Sequence, residues 1–330
     1  MKNLTYAQAI HEALTLEMRR DDAVFILGED VGLYGGGFGV TAGLVEEFGK
    51  KRVIDTPISE AAIAGTAVGA ALQGMRPVAD MMFSDFLTNA MDQLVNQAAK
   101  LRYMFGSRVK VPLVVRAAAG SGTGAAAQHS QSPEAWLCNV PGLKIVVPST
   151  PADAKGLLTA AIRDDNPVLF LEQKLLYKTK GQVPEGEYVV DIGKAKVHRS
   201  GTDLTVITYG RMLTACLQAA QKAKEVCGIS AEVIDLRTLV PLDKQALIDS
   251  AKKTGRVLIV HEACQTGGFG GELAAVVAGS DAFYSLKAPV MRYCGLDVPM
   301  PFSRGLEKAA VPDEDGIFER IKLLVNGKKA

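Results

Sequence analysis

The sequence predicts an α/β fold built as two parallel-sheet domains. Three observations carry that reading. Short apolar runs rich in β-branched residues alternate with stretches of helical periodicity. The alternation dissolves once, between Leu175 and Asp203, and then resumes. At 330 residues the chain is also long for one core and suits two domains. Strands without polar alternation, separated by helices, imply a parallel sheet covered on both faces.

The elements follow in order. Strands are predicted at Val24–Leu27, Val53–Asp55, Pro77–Met82, Val111–Arg116, Lys144–Val147 and Val168–Glu172. Helices are predicted at Thr5–Arg20, Ser59–Leu72, Ala90–Tyr103 and Pro151–Arg163. The stretch KLLYKTKGQVPEGEY and the hairpin-like segment after it read as a linker, which divides the chain into domains 1–185 and 186–330. The second domain has predicted strands Leu204–Thr208, Ala231–Asp235, Val257–Val260 and Val290–Tyr293. Its predicted helices are Met212–Val226, Asp243–Thr254, Glu272–Ala278 and Asp315–Val325.

Composition excludes several function classes. Lys and Arg number 37 against 36 Asp and Glu, with no basic run before the tail Lys328-Lys329, so no nucleic-acid footprint is expected. No uncharged apolar stretch is long enough to span a membrane. The start MKNLTYAQAIHEAL lacks a signal-peptide core, and a cytoplasmic location is expected. Five cysteines without a C-x-x-C spacing argue against a disulfide framework or zinc site. A hydrophobic share of 48% is high for a soluble monomer and favours a buried subunit interface.

Ligands of open parallel sheets bind beyond the carboxyl ends of the strands. Gly28-Glu29-Asp30, Glu60 and the loop after Arg116 fall there. In DTPISEAAIAGTAVGAAL, residues 55–72, Glu60 is the only acid after the helix start. It is either an exposed first-turn acid favoured by the helix dipole or a crowded carboxylate paired with a strong donor. His129 lies on the Gly- and Ala-rich loop, just before a helix whose start is marked by Ser132 and Pro133. There it is placed either to move protons or to bond the loop backbone. Ser121, Ser130 and Ser132 lack a G-x-S-x-G elbow. GLYGGGFG, Gly32–Gly39, is a poor dinucleotide fingerprint and reads as a mobile loop. GGFGGE, Gly267–Glu272, reads as an anion site or as a close-packing turn. Phe83 and Phe86 are core residues or face a flat ring ligand.

Over essentially its whole length the chain resembles the β subunits of heterotetrameric thiamine-diphosphate-dependent 2-oxo acid and acetoin dehydrogenases. The C-terminal half of transketolase is the distant relative. The motifs are GEDVG (28–32), DTPISEAAIAGTAVGAAL (55–72), MDQLVNQAAKLRY (91–103), AAAQHSQSPEAW (125–136), PSTPADAKGLL (148–158), AIRDDNPV (161–168) and DVPMP (297–301). The wording is most similar to the acetoin branch, with the pyruvate branch next and the branched-chain enzymes as the alternative.

The resemblance implies a pyrimidine-binding domain followed by a transketolase C-terminal-like domain. It implies that Glu60 bonds a ring nitrogen of the cofactor's aminopyrimidine and favours the tautomer that deprotonates the thiazolium carbon. Phe86 would pack on that ring, and His129 would contact substrate and the incoming lipoyl group. Glu29 and Asp92 match acids lining a solvent passage between paired active sites. Leu113, Ala161, Ile162, Asp164 and Asn166 match a site for a monovalent cation such as potassium, where an oxygen cage suits a hard ion; an ordinary turn is the other reading of RDDNP.

No Gly-Asp-Gly occurs in the chain. Thiamine enzymes hold magnesium and the diphosphate with such a motif, so that half of the site is expected from another polypeptide, and the resemblance implies an α subunit, in an α2β2 assembly that docks on a dihydrolipoyl acyltransferase core. The rival readings are a non-catalytic assembly subunit of the same fold and a nicotinamide dehydrogenase. Retention of Glu60, Phe86 and His129 together opposes the first, and the lack of an acid placed to read a ribose opposes the second.

Overall fold

Thr5 ends the first strand and starts the first helix: its hydroxyl accepts from the Gln8 N–H, and the Gln8 side chain accepts from the Thr5 N–H. The computed structural model describes residues 1–327; the Lys328-Lys329 tail lies outside the described residues. The chain folds as two compact units. The first holds Met1–Ala119, Trp136–Ile192 and Leu239–Pro241, and the second holds Gly120–Ala135, Gly193–Thr238 and Leu242–Ala330.

In chain order the elements of the first part are β1 (Lys2–Thr5), α1 (Tyr6–Arg20), β2 (Val24–Gly28), α2 (Leu44–Phe48), β3 (Val53–Asp55), α3 (Glu60–Leu72) and β4 (Arg76–Phe83). After a 3-10 segment Ser84–Ala90 and a π-helical segment Asp92–Ala98 come α4 (Ala99–Met104), β5 (Val114–Ala119), α5 (Glu134–Cys138), β6 (Lys144–Val146), α6 (Pro151–Arg163), β7 (Val168–Gln173) and β8 (Lys180–Val183). The rest comprises β9 (Lys196–Arg199), β10 (Leu204–Thr208), α7 (Met212–Cys227), β11 (Ala231–Asp235), β12 (Thr238–Val240), α8 (Lys244–Thr254), β13 (Val257–Cys264), α9 (Gly270–Ala278), β14 (Met291–Gly295), α10 (Arg304–Ala309) and α11 (Glu314–Asn326).

The first unit is built on a seven-stranded sheet in the order β12-β6-β7-β5-β4-β2-β3. The pairs from β6 through β3 are parallel. Leu239 and Val240 of β12 form its edge. Tyr6, Ile10, Leu14 and Met18 make one apolar stripe of α1, which packs with Leu157, Leu158 and Ile162 of α6 on the sheet. The second unit has five strands in the order β14-β13-β10-β11-β9, parallel except for β9. Its core joins Leu213, Cys216 and Ala220 of α7 to Ile317, Ile321 and Leu324 of α11 over Val206, Val233 and Leu258. No helix among the described residues is long and apolar enough to cross a membrane.

Four expectations change. The segment expected as a hairpin is none: β8 pairs antiparallel with β1, and β9 pairs antiparallel with β11. The fifth strand starts at Val114 instead of Val111, because Pro112 has no N–H for a ladder and the Leu113 N–H turns back to the Val111 carbonyl. The helix expected over Ala90–Tyr103 is a succession of 3-10, π and α turns packed against α3. No Gly or Pro in that segment announces the change, which packing decides. The helix after the His129 loop begins at Glu134, so Pro133 precedes its first residue.

Candidate active site

The carboxyl ends of β2, β3 and β4 meet the start of α3 in the first unit. Glu60 is the first helical residue and is only 8% exposed. Asn89 Nδ2 donates to Glu60 Oε2 at 3.3 Å, while Oε1 receives no hydrogen bond among the described residues. The run of small residues suggests a helix packed on almost every side, but within this chain one face of it is open. Ile63, Ala64, Ala67, Val68 and Ala71 are buried, and Ala62, Thr66 and Gly69 are exposed along the opposite face. Small residues permit close approach on any side but do not say which side is used.

Glu29 follows β2 and is partly buried. Burial pushes its carboxyl above the usual range, and the charges of Glu60, Asp30 and Asp80 add to the shift. Phe86 lies in the 3-10 segment, its ring 6.1 Å from that of Phe83. The Lys174 ammonium sits 4.5 Å over the Phe83 ring. Asp92 is exposed and accepts from Asn96 Nδ2 at 2.7 Å.

The glycine run Gly32–Gly39 is a folded turn, where the sequence suggests a mobile loop. The Gly32 N–H donates to Asp55 Oδ1 at 2.6 Å, Gly36 N–H to the Asp30 carbonyl at 2.8 Å, and Thr41 N–H to the Gly35 carbonyl at 3.0 Å. A Cβ at Gly32 would lie 2.4 Å from Asp55 Oδ2, so a side chain there would displace the Asp55 carboxylate that holds the turn. Phe38 in this turn stacks on Tyr177 with centroids 4.4 Å apart.

The residues matched to a cation cage are brought together, and their oxygens are engaged by the chain. Arg76 Nη1 donates to the carbonyls of Ile162 and Asp164 at 3.0 and 3.1 Å. The Val168 N–H donates to the Leu113 carbonyl at 2.8 Å, and Asp164 N–H to the Ala161 carbonyl at 3.2 Å. Asn166 donates through its backbone and side-chain nitrogens to Asp164 Oδ1, and Arg102 Nη1 donates to Asn166 Oδ1 at 2.6 Å. Lys144 pairs with Asp164 Oδ2.

His129 lies in the second unit, on the segment Gly120–Ala135. It is half-buried, with Nδ1 2.7 Å from the Gln128 carbonyl. The neighbouring Ser130 is buried, and its hydroxyl has no hydrogen-bond partner among the described residues. At the end of the loop the Tyr209 hydroxyl donates to Glu134 Oε1 at 2.8 Å. Behind Tyr209 lies the neutral ring of His261, held down to about 4 by burial. The Gly270 N–H donates to His261 Nε2 at 3.1 Å, and a Cβ on Gly270 would lie 2.6 Å from that nitrogen. The GGFGGE run therefore serves close packing.

Residues 2–180 match the family of the transketolase pyrimidine-binding domain, and residues 193–317 match the transketolase C-terminal domain. The chain is 51% identical to a 2-oxoisovalerate dehydrogenase subunit beta of Bacillus subtilis, over 96% of this chain and 97% of that one. It is 45% identical to a pyruvate dehydrogenase E1 component subunit beta of Rhizobium meliloti, covering 98% of this chain and 70% of the relative. It is 46% identical to an acetoin:2,6-dichlorophenolindophenol oxidoreductase subunit beta of Bacillus subtilis, with 95% of each chain covered. The chain belongs to the β-subunit family of the 2-oxo acid and acetoin dehydrogenases. A split-gene transketolase, described as an inactive β4 tetramer, shares the fold at a TM-score of 0.81 and 21% identity, covering 99% of this chain and 100% of that one.

This β-subunit chain also holds a buried charge cluster that sequence reasoning missed. Arg116 of β5 donates to both oxygens of Glu172 on β7, at 2.6 and 2.9 Å, and to Asp80 of β4 at 2.9 Å. The Tyr177 hydroxyl donates to Glu172 Oε2 at 2.7 Å. Burial pushes the Glu172 carboxyl up, against the pull of Arg116. The signal was present: Asp80, Arg116 and Glu172 each stand among apolar residues on three adjacent strands.

Proposed function

We propose that this chain is the β half of a thiamine-diphosphate-dependent dehydrogenase component that decarboxylates a 2-oxo acid or cleaves acetoin and passes the acyl unit to lipoamide. The observation that carries the reading is Glu60: a buried carboxylate at a helix N-terminus with one weak donor and one free acceptor oxygen. An anionic acceptor so placed suits a ring N–H of an aminopyrimidine, because burial makes a single strong hydrogen bond to it worth more. Phe86 offers a flat apolar face to such a ring. Thiamine diphosphate supplies, when bound, the carbanion that attacks the substrate carbonyl. Glu60 holds the proton exchange of the aminopyrimidine, Glu29 and Asp92 belong to the acid path that connects paired sites, and His129 orients the substrate and the lipoyl group.

Magnesium and the diphosphate fall to an α subunit in an α2β2 assembly, since this chain has no Gly-Asp-Gly. The acyl acceptor is the lipoyl group of an acyltransferase core. A potassium ion at Leu113, Ala161, Ile162, Asp164 and Asn166 would share carbonyls with Arg76, an arrangement that the second lone pair of each oxygen permits.

The test is reconstitution. The chain is mixed with α subunits, thiamine diphosphate and magnesium, and reduction of 2,6-dichlorophenolindophenol is followed with acetoin, pyruvate and branched-chain 2-oxo acids. Dye reduction only in the mixture is expected, and the preferred substrate names the branch. Turnover by the chain alone, or none in any complex that forms, overturns the reading.

A further inference from the structure

The segment Gly120–Gly124 wraps two buried carboxylates. Ser121 donates to Glu262 Oε1 through its N–H at 2.5 Å and through its hydroxyl at 2.6 Å. Gly122 N–H donates to Glu307 Oε1 at 2.7 Å, and Gly124 N–H donates to Glu307 Oε2 at 3.1 Å. Arg211 pairs with Glu262 Oε2 and reaches the Ser121 hydroxyl at 3.3 Å. Glu262 and Glu307 are 5% and 3% exposed. Gly120, Gly122 and Gly124 all have positive φ, at +88°, +101° and +72°, a conformation in which the Ser121, Gly122 and Gly124 N–H groups face the acids. A Cβ on Gly120 would also meet both oxygens of Glu262 at 3.2 Å.

The geometry points to Glu262 and Glu307 as the positioning residues of the His129 loop. They sit on β13 and α10, far from the loop in sequence, and they anchor its entry while Tyr209 and Glu134 anchor its exit. The five residues before His129, Gly124–Gln128, follow directly on the clamped N–H of Gly124. Buried carboxylates accepting backbone N–H groups form the strong, charge-assisted class of hydrogen bond, and an unmade one is costly. The clamp therefore holds one loop conformation against the flexibility of three glycines, and His129 inherits that order.

The inference rests on the role of His129 proposed above, and two readouts separate the claims. The first is hydrogen exchange at the Ser121, Gly122 and Gly124 amides of the assembled protein, which is independent of any reaction. Glu307→Gln is expected to speed exchange at Gly122 and Gly124 by about tenfold or more, and Glu262→Gln to do so at Ser121, the scale of one lost charge-assisted bond. Unchanged exchange at these amides overturns the clamp. The second is the ratio of lipoyl-domain acylation to dye reduction in the reconstituted enzyme. Both variants are expected to lower the ratio, toward the value of His129→Ala, with little change in KM for the 2-oxo acid. A fall in melting temperature with the ratio unmoved, while His129→Ala lowers it, reduces the two acids to structural residues. A ratio unmoved in His129→Ala as well overturns the role of His129, leaving exchange to decide the clamp alone.

Discussion

The Tyr209 hydroxyl donates to Glu134 Oε1 at 2.8 Å, and Glu134 is only 3% exposed. Burial pushes the Glu134 carboxyl up to about 7, the Glu262 charge adds to the shift, and the bonds from Tyr209 and the backbone oppose it. The unfolded chain loses this proton near the ordinary carboxyl value and the folded chain keeps it until about 7. Stability from this group is therefore fully present at low pH and falls as pH rises through that window, by on the order of 3 kcal/mol. Glu134→Gln keeps an acceptor for Tyr209 and removes the titration. Melting temperatures at pH 5.5 and 8 are expected to show the variant gaining on the parent at the higher pH; parallel profiles would refute this.

Glu60→Gln keeps the shape of the side chain and removes its charge. Cofactor binding, followed by titration calorimetry on the α2β2 complex, is expected to persist. Dye-linked turnover is expected to drop by about 100- to 10,000-fold, the scale of lost acid–base function. Turnover near the parental rate would remove Glu60 from the proton exchange.

Arg116→Met is expected to destabilise the first unit by about 3–5 kcal/mol, because it leaves Glu172 and Asp80 facing each other without their cation. Chemical denaturation measures this. The double change with Glu172→Gln should recover part of the loss, since it removes one of the two orphaned charges. An additive or worse double variant would show that packing, and not charge, dominates there.

Gly142 has φ +105°, and a Cβ on it would lie 1.9 Å from the Ala99 carbonyl oxygen. Gly186 has φ +71° and open space around it. Gly142→Ala is expected to cost about 3 kcal/mol or more, as a steric overlap with backbone, and Gly186→Ala about 1 kcal/mol, as backbone strain alone. Equal losses for the two in denaturant titrations would contradict the close approach.

Much of the architecture was legible because it is local. Pro151–Arg163, Leu204–Thr208 and Ala231–Asp235 run where apolar periodicity put them. The burial of Glu60 resolves the choice between an exposed first-turn acid and a crowded one, which the segment alone left open. Less legible were the features that depend on partners distant in sequence. The turns over Ser84–Ala90 and Asp92–Ala98 answer to α3, and the strands flanking the linker pair with β1 and β11 instead of with each other.

The sequence by itself determined the alternation of strands and helices, the family, and the residue types able to do acid–base work. Periodicity, backbone sterics and side-chain chemistry act within a few residues, so they survive in a linear reading. Only the tertiary structure decided which unit holds His129, and which acids hold its loop. Glu262 and Glu307 lie 141 and 185 residues from their partners Ser121 and Gly122. Hydrogen bonds across such separations leave no periodic trace in the sequence, because they are made only when the sheet strands and helices that carry them have packed.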